Sequence, residues 1–472
     1  MKRLLNMYHR LPAPAWPLVA SLRALSLKRR RYGPIYRAAL PEIKNRQTWE
    51  KPRWEAFQRT QLVELLNRAA AAVPVYRGRP APGRDPHDPI NDPLRLMKRW
   101  PLIDVDHFRN NPDQYRDAEY GHRHCIELFT SGTTGTPKKI VRDPRAEQLN
   151  YAYTEARWRN IAGVHLGDRW VMIGGQLVVP VERRRPPFGV AAFPMNQLYL
   201  SSYHLQPEFA DDYMAAIKQW RPVYLLGYPS SLNMLAKFAE QTGTTLHLTS
   251  IISNAEPLYD SVRARLQNTF GCKVFDTYGG TEGAFMGFEC AEGRMHISPD
   301  FGVFEILRED GSDCPPGEVG RVVVTGLTNR AMPLIRYPNG DSAAWAEAGA
   351  CRCGCSFPVI ERIEGRTDDL ISLPNGRLIG RLDPVFKAEF PLREAQVIQK
   401  RDDSIEVLIV KDSAAHAPGN GARIREWTPE HELALIKELR ARVGEGVPIR
   451  VTYVENIPRG GSNKFKAVVR ET

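Results

Sequence analysis

The 472-residue sequence lacks a long, uninterrupted apolar run. The stretch between Arg10 and Arg23 is too short to span a bilayer, and Pro12, Pro14 and Pro17 interrupt it. It also lacks the small-residue cleavage site of a secretory signal peptide. Because the chain has seven cysteines and no such leader, a reducing compartment is indicated, and we expect a cytoplasmic protein.

The first 46 residues are almost devoid of acidic side chains. They hold eleven Lys and Arg residues against Glu42 alone, so they contribute +10 of the formal net charge of +11. We expect this basic N-terminal arm (1–46) either to pack on the body with solvated Arg outside, or to lie peripherally on an anionic membrane. A zinc-stabilised nucleic-acid binder is the weaker alternative. Since the rest of the chain is nearly neutral, we expect no nucleic-acid partner.

The chain is too long for one compact core and indicates two or three domains. Helical spacing dominates up to about residue 120, strands then alternate with helices, and a second α+β pattern starts near residue 370. The alternation predicts an α/β fold with ligands at the carboxyl ends of its strands. We therefore predict a large N-terminal domain of mixed β-sheets and helices (47–365), a hinge (366–369) and a small, mobile α+β C-terminal domain (370–472).

Several elements are specific enough to be checked. Helices are predicted over 49–73, 229–242, 257–270 and 430–443. Buried or alternating strands are predicted at 125–129, 170–174, 224–227, 251–253, 273–275, 405–410 and 449–454.

The loop 129–139 (Phe-Thr-Ser-Gly-Thr-Thr-Gly-Thr-Pro-Lys-Lys) is the most informative segment of the chain. Glycines allow the backbone to approach a ligand, successive N–H groups form an anion nest, and hydroxyls and Lys suit phosphate oxygens. It is not a Walker A loop, because the Gly-Lys-Ser/Thr ending is missing. The alternative is a polar surface turn.

Residues 131–138 match the pattern Ser-Gly-Thr-Thr-Gly-x-Pro-Lys at every fixed position. This segment resembles the phosphate loop of acyl-adenylate-forming enzymes, the superfamily of acyl-CoA synthetases, luciferases and peptide-synthetase adenylation domains. The resemblance implies binding of the β- and γ-phosphates of ATP by the loop residues Ser131, Gly132, Thr133, Thr134, Gly135 and Lys138.

Companion motifs follow in the family's order. Residues 276–282 (Asp-Thr-Tyr-Gly-Gly-Thr-Glu) resemble the motif Tyr-Gly-x-Thr-Glu. The resemblance implies that Tyr278 and Gly279 lie at the adenine, that Thr281 contacts the α-phosphate and that Glu282 holds Mg²⁺. A carboxylate with phosphate oxygens is the ligand shell that magnesium prefers.

Two more segments resemble nucleotide-binding motifs of the family. Residues 253–257 resemble the wall of the adenine pocket and assign Ala255, Glu256 and Pro257 to it, although Asn254 also suits a helix N-cap. Residues 336–341 resemble Tyr-x-x-Gly-Asp, whose aspartate, here Asp341, binds the ribose hydroxyls.

The C-terminal part carries two further matches. Residues 365–369 resemble the family's hinge, which implies that Arg366 reaches ribose or phosphate and that Asp368 or Asp369 absorbs a rotation. Residues 461–466 resemble the loop of the catalytic lysine, which we assign to Lys464, with Lys466 as second choice. Asn463 stands where the family usually has Gly.

Cysteine spacing predicts a structural metal centre. Cys290 with His296, and Cys351 with Cys353, would form a tetrahedral Cys₃His zinc site if a strand region brought the two pairs together. Cys355 could replace one thiolate. The arrangement resembles the zinc site of some phenylacetate-CoA ligase relatives. The alternative is reduced surface thiols and an unrelated histidine.

Within the superfamily, the chain resembles the phenylacetate-CoA ligase and coenzyme F390 synthetase branch, particularly CapK-like proteins of capsular polysaccharide loci. Segments 201–205, 227–231 and 396–399 carry this likeness. Tyr203, His204 and Tyr228 are candidates for an aromatic acid-binding pocket, with ordinary core packing as the alternative.

The resemblance implies ATP-dependent activation of a carboxylic acid to an acyl-adenylate with pyrophosphate release, followed by acyl transfer. CoA is the acceptor expected for this branch. An amine or hydroxyl acceptor, in polysaccharide or secondary-metabolite synthesis, is the alternative, as is a catalytically silent nucleotide-binding scaffold. A homodimer is compatible with the sequence.

Overall fold

The structure is a computed structural model. It describes residues 2–83, 92–120, 125–129, 138–347, 349, 351–366, 371–372, 378–379, 392–411, 427–443, 446–458, 465 and 468–471.

Helices dominate the amino-terminal region, as the apolar spacing predicts. They are α1 (Lys2–His9), α2 (Trp16–Arg31), α3 (Pro34–Arg46), α4 (Lys51–Ala72), α5 (Pro93–Lys98) and α6 (Val105–Asn110). Helices α2 to α5 each have proline in the first turn, where its missing N–H removes no helical hydrogen bond. Helix α4 confirms the prediction over 49–73 and buries the predicted face of Leu62, Leu65, Leu66 and Ala69.

A two-stranded hairpin precedes the main sheet. Strands β1 (Ile126–Phe129) and β2 (Lys139–Arg142) pair antiparallel. The phosphate-loop motif connects these two strands. Helix α7 (Pro144–Tyr153) then starts at Asp143, whose side chain accepts a hydrogen bond from the Ala146 N–H, and continues as a π-helical turn, Thr154–Arg159.

Twelve strands form the main sheet. They are β3 (Trp170–Gly174), β4 (Gly189–Ala192), β5 (Gln197–Ser201), β6 (Tyr224–Gly227), β7 (Ser250–Ser253), β8 (Lys273–Gly279), β9 (Met286–Glu289), β10 (Met295–Ile297), β11 (Gly302–Leu307), β12 (Gly320–Gly326), β13 (Tyr337–Trp345) and β14 (Val359–Arg366). Their spatial order is β11-β12-β13-β14-β10-β9-β8-β7-β6-β3-β5-β4.

The parallel half of this sheet positions the functional site. Strands β5, β3, β6, β7 and β8 are neighbours and run parallel, with helices α8 (Ala210–Trp220), α9 (Pro229–Thr242) and α10 (Asp260–Phe270) in the connections. Strands β6 and β7 are buried throughout, as expected for a parallel sheet. Their carboxyl ends lie at one edge, where ligands of such sheets bind.

The C-terminal region has its own sheet and core. Strands β17 (Leu392–Gln399), β18 (Ile405–Lys411), β19 (Ile449–Tyr453) and β20 (Val468–Arg470) have the order β19-β18-β17-β20, and helix α11 (Pro429–Val443) packs against them. The short pair β15 (Ile371–Ser372) and β16 (Leu378–Ile379) precedes it. The predicted fold class, α/β with a small α+β C-terminal domain, is confirmed.

One helix prediction needs correction. The helix expected over 257–270 begins at Asp260 with Tyr259 as its N-cap, so Asn254 does not cap it. Ala255 adopts φ 65°, a left-handed conformation that keeps this turn out of the helix. The predicted domain bounds remain predictions, and Asp368 and Asp369 lie outside the described residues. Among the described helices, none combines the length and apolarity needed to cross a membrane.

Candidate active site

Motifs that are distant in the sequence meet at the carboxyl edge of the parallel strands. In register, Gly174 of β3 pairs with Ser201 of β5, and Gly227 of β6 pairs with Ser253 of β7. Lys138 is described, whereas Ser131 to Gly135, Lys464 and Lys466 lie outside the described residues. The nucleotide motifs at 253–257 and 276–282 leave the ends of neighbouring strands.

The last residue of the phosphate-loop motif lies beside the predicted magnesium ligand. The Lys138 ammonium is 3.5 Å from a Glu282 carboxylate oxygen, and both side chains are nearly buried. Lys138 also donates to the Tyr337 hydroxyl, which in turn donates to the same Glu282 oxygen at 3.2 Å. This arrangement gathers a cation, a carboxylate and a phenol, which suits the charged end of a metal-bound nucleoside triphosphate.

Arg142 holds the turn that carries Thr281 and Glu282 in place. Arg142 donates to the Thr281 carbonyl oxygen at 2.9 Å and pairs with the buried Glu147 at 3.1 Å. Gly283 has φ 64°, and a Cβ there would lie 2.9 Å from the Arg142 guanidinium. The turn therefore requires glycine at this position both for its backbone conformation and for close contact.

A second polar group forms where adenine and ribose were predicted. Tyr278 donates to Asp341 at 2.6 Å, and the Asn339 amide donates to both the Asp341 carboxylate (2.7 Å) and the Tyr278 hydroxyl (3.1 Å). Arg366 lies opposite Asp341 in the register of β13 and β14. The structure thus brings Tyr278, Asp341 and the backbone of Arg366 together.

The 253–257 segment connects the large domain to the lysine loop. Glu256 accepts one hydrogen bond from the Ser230 N–H, at the start of α9, at 3.1 Å, and another from the Phe465 N–H at 2.7 Å. Phe465 directly follows Lys464. The sequence motif gave no signal for this bridge, because it joins residues 209 positions apart.

The same segment contains a buried acceptor. Asn254 Oδ1 is buried and accepts no hydrogen bond from the described residues. Buried amide oxygens normally have a partner, so this atom fits a donor supplied by a ligand, such as a purine amino group. The positive φ of Ala255 next to it places backbone strain at the site.

A cavity of about 210 Å³ lies between the two domains, next to these motifs. Hydroxyl, amide and carboxylate side chains line much of it. Its lining residues are Ser202, Tyr203, Leu205, Gln206, Ser230, Ser231, Met234, Glu394, Asn456 and Ile457.

The three candidates for the acid pocket have different surroundings. Tyr203 lines the cavity and donates its hydroxyl to the Gly175 carbonyl at 3.0 Å. Tyr228 precedes α9, near Gly174 at the end of β3. His204 is buried: its ring nitrogens lie 2.8 Å from Ser201 Oγ and 3.1 Å from the Val181 carbonyl, and burial lowers its pKa. The ring of His204 is thus engaged by the protein itself and does not line the cavity.

Asp276 is a carboxyl group near the site to which the sequence motifs assign no role. Asp276 accepts hydrogen bonds from Ser253 Oγ (2.6 Å) and the Thr277 N–H (3.0 Å). Desolvation raises the pKa of Asp276 to about 7, and the neighbouring Glu289 carboxylate adds to this rise. Asp276 belongs to the 276–282 motif, but only the folded structure shows its environment.

The cysteine pairs also converge. The ligand atoms of Cys290, His296, Cys351 and Cys353 all lie within 4.8 Å of one another. Cys290 Sγ and Cys351 Sγ are 3.8 Å apart, and Cys353 Sγ is 3.4 Å from His296 Nε2. Tetrahedral zinc with ordinary bond lengths requires S···S of about 3.8 Å and S···N of about 3.6 Å, so the donor set fits.

The surroundings of this cluster orient its ligands. His296 Nδ1 lies 3.1 Å from the Phe357 carbonyl oxygen, which leaves Nε2 directed at the thiols. Cys355 packs instead with Trp54, Phe288 and Phe357, and burial raises its pKa to about 11. Cys355 is therefore not part of the four-residue group.

Comparison with known proteins adds family information to this geometry. The family model described as AMP-binding enzyme matches residues 66–330, and the model of the CapK C-terminal domain matches residues 372–471. The chain is 26% identical to Protein CapK of Staphylococcus aureus over 78% of this chain and 79% of that protein. It is 26% identical to phenylacetate-coenzyme A ligase of Pseudomonas putida, over 67% and 72% of the two chains.

Solved structures show the same fold. The chain resembles 2-hydroxyisobutyryl-CoA ligase in its postadenylation state, with an acyl-AMP bound, at a TM-score of 0.69 and 18% identity over 90% of this chain and 91% of that one. The same ligase in its thioesterification state gives a TM-score of 0.51 at 18% identity and the same coverage. Both likenesses show that this chain shares the fold of that ligase.

Proposed function

The chain belongs to the AMP-binding enzyme family, and we propose that it is an adenylate-forming ligase that activates a carboxylic acid with ATP and transfers the acyl group to CoA. The observation that carries this proposal is the convergence of Lys138 and Glu282 with the Tyr278–Asp341 pair. Three separate sequence motifs supply these residues. In this proposal Lys138 contacts phosphate, Glu282 holds a metal ion and Asp341 contacts ribose.

In the first half-reaction, a carboxylate oxygen of the acid bonds to the α-phosphorus of ATP. The bond from that phosphorus to the β-phosphate oxygen breaks, and pyrophosphate leaves. The protein contributes position and charge rather than covalent chemistry. Lys138 and the 131–135 loop bind the β- and γ-phosphates, Thr281 contacts the α-phosphate, and Asp341 holds the ribose.

Magnesium fits the charged end of this site. Glu282 would hold the ion, because its carboxylate points at Lys138 and Tyr337, where phosphate oxygens would complete a hard-ligand shell. When bound, Mg²⁺ supplies charge neutralisation for the departing pyrophosphate.

Lys464 is our candidate for the catalytic lysine of adenylation, with Lys466 second. The Phe465 N–H donates to Glu256 of the adenine-wall segment 253–257. This contact supports the role of Lys464, because Phe465 directly follows it in the sequence. Release of that bond and rotation near Asp368 and Asp369 would then admit CoA for the second half-reaction. There the thiol sulfur attacks the acyl carbon and AMP leaves.

The lining of the interdomain cavity favours a small acid with polar substituents. Gln206 and Ser230 contribute polar side chains to this lining, which suits a polar substituent better than a fatty acyl chain. Tyr203 provides an aromatic wall, and Tyr228 stands near it. We leave His204 out of this pocket, because its ring is buried and engaged.

We also propose that Cys290, His296, Cys351 and Cys353 bind a structural Zn²⁺. Four protein ligands leave no open position for a substrate, so this ion would stabilise the junction of β9, β10 and the 351–355 segment. The protein is proposed to act in the cytoplasm, with peripheral membrane contact through its basic N-terminal arm.

Pyrophosphate release tests the proposed reaction. Mg·ATP is supplied with a panel of hydroxy acids, aryl-acetates, benzoates, amino acids and fatty acids, with hydroxylamine as trap and with or without CoA. We expect release with a polar acid, a CoA-dependent thioester, and loss of both in Glu282→Gln and Lys464→Ala. Binding of ATP without release for any acid would instead support a nucleotide-binding scaffold.

A further inference from the structure

Exposed apolar side chains are concentrated near the amino terminus. Eleven large hydrophobic side chains are exposed in the described part of the chain. Five of them lie between Met7 and Leu25, and Leu177, Val181 and Phe193 lie on the segment next to these helices. Single exposed apolar residues are ordinary, but a cluster of this kind marks an interaction surface.

Helix α2 is apolar on two faces. Its inner face buries Trp16 and Ala24, which explains why the helix packs on the body. Its outer face carries Leu18, Leu22 and Leu25, which are 66%, 63% and 39% exposed. These leucines have i, i+4, i+7 spacing and therefore form one stripe. Packing within the fold does not account for this second stripe.

Contacts of the body extend the stripe into a larger surface. Phe193, 60% exposed, donates its N–H to Ser21 of α2 at 3.2 Å. Lys28 donates to the carbonyl of the next residue, Pro194, at 2.8 Å. We call the set Leu18, Leu22, Leu25 and Phe193 the N-terminal apolar face.

Exposed cations are frequent along the same segment of the chain. Arg10, Arg23, Lys28 and Arg29 are exposed. Arg30 and Arg31 turn the other way and pair with the buried Glu147 at 3.3 and 3.5 Å. The outward cations therefore remain beside the leucines while the helix is tied to the body.

We propose that the N-terminal apolar face, with the exposed cations Arg10, Arg23, Lys28 and Arg29, docks on an anionic phospholipid bilayer. The leucines and Phe193 insert shallowly among the acyl chains while the cations contact headgroup phosphates. A second copy of the chain fits less well, because it would bring the same cations against each other. This inference deepens the proposed membrane contact and is independent of adenylation.

Vesicle sedimentation with the full chain tests this surface, without ATP or acid. We expect binding to vesicles containing equal parts of phosphatidylcholine and phosphatidylglycerol, weak binding to phosphatidylcholine alone, and release by high salt. The double variant Leu18→Ser/Leu22→Ser should lower the partition coefficient at least about tenfold. Arg23→Gln/Arg29→Gln should weaken binding only to the anionic vesicles.

Matched controls replace exposed residues elsewhere. Leu433→Ser, 68% exposed on α11, and Arg321→Gln/Arg440→Gln should bind like the unmodified chain. Absence of binding to anionic vesicles, or equal loss in the controls, would overturn the proposal. A dimer in sedimentation velocity that Leu18→Ser/Leu22→Ser dissociates would also overturn it. Failure here leaves acid-dependent pyrophosphate release untouched, so the two proposals fail separately.

Discussion

The candidate active site and the Cys₃His cluster satisfy their polar groups in opposite ways. In the active site, Lys138, Glu282 and Tyr337 already bond to one another, and a ligand must replace these contacts. In the cysteine cluster, the ligand atoms lie at metal-ligand spacing, and the contacts between the cluster side chains are weak hydrogen bonds of sulfur. The active-site arrangement suits a site whose contacts change when substrate binds and reacts. The cysteine cluster suits a site that binds one structural ion permanently.

Removing a cluster ligand should have the largest effect. We expect Cys351→Ser to lose bound zinc and to lower the melting temperature strongly, because binding of structural zinc contributes about 10–16 kcal/mol in zinc-finger peptides. Metal analysis and thermal unfolding measure the two quantities. Cys272→Ser, a free cysteine outside the cluster, is the matched control. Equal zinc content in both variants would show that Cys351 is not a zinc ligand.

The next effect on stability is expected from the buried ion pair of Arg142 and Glu147, next to the active-site turn. Glu147 is buried among Arg30, Arg31 and Arg142, so Glu147→Gln leaves positive charge buried without its partner. The expected loss is about 3 kcal/mol in the free energy of unfolding. Denaturant unfolding measures it. Glu119→Gln, whose side chain is 72% exposed beside Arg68, should change stability far less.

Changing the active-site carboxylate should affect turnover rather than folding. Glu282→Gln should reduce acid-dependent pyrophosphate release about 10²–10³-fold, the usual loss when one group that stabilises the transition state is removed. The exposed Glu318→Gln, which pairs only at the surface with Arg308, should keep full activity. A strongly destabilised but active Glu282→Gln would make this site structural, like the cysteine cluster.

Loss of the hydrogen bond between Phe465 and Glu256 should slow one half-reaction and not the other. Glu256→Gln removes the charge that receives the Phe465 N–H, a contact of about 1.5–3 kcal/mol in general. We expect slower adenylation but nearly unchanged thioester formation from supplied acyl-adenylate. Equal slowing of both half-reactions would argue against a state-specific bridge.

The last prediction concerns the pH dependence of stability. Because the folded pKa of Asp276 is raised to about 7, the folded protein binds more protons than the unfolded chain between about pH 4 and 7. This group therefore makes the protein less stable as pH rises through that window. Asp276→Asn should remove the slope and raise stability at pH 8 relative to pH 5. The exposed Asp402→Asn should not, since hydrogen bonds from Ser404 lower that pKa.

Contiguous motifs were predictable, whereas long-range partners were not. The sequence motifs located Lys138, Glu282, Tyr278 and Asp341 because each lies in a short pattern with its own chemistry. Nothing local indicates that Arg142 supports the Thr281 carbonyl, 139 positions away. Such contacts depend on how strands are ordered in the sheet.

The errors have physical causes as well. The sequence around Pro257 suits a helix start, but the left-handed turn at Ala255 delays the helix to Asp260. His204 stands beside Tyr203 in the sequence, yet the turn after β5 directs His204 into the core, where it stacks on Phe188, and leaves Tyr203 at the cavity.

Exchange of labelled pyrophosphate into ATP measures adenylation itself, because it requires an enzyme-bound acyl-adenylate that can revert. We expect exchange that depends on a carboxylic acid, needs no CoA, and is lost in Glu282→Gln while Glu318→Gln retains it. Exchange without any acid, or no exchange with any acid despite ATP binding, would show that this site does not form an acyl-adenylate.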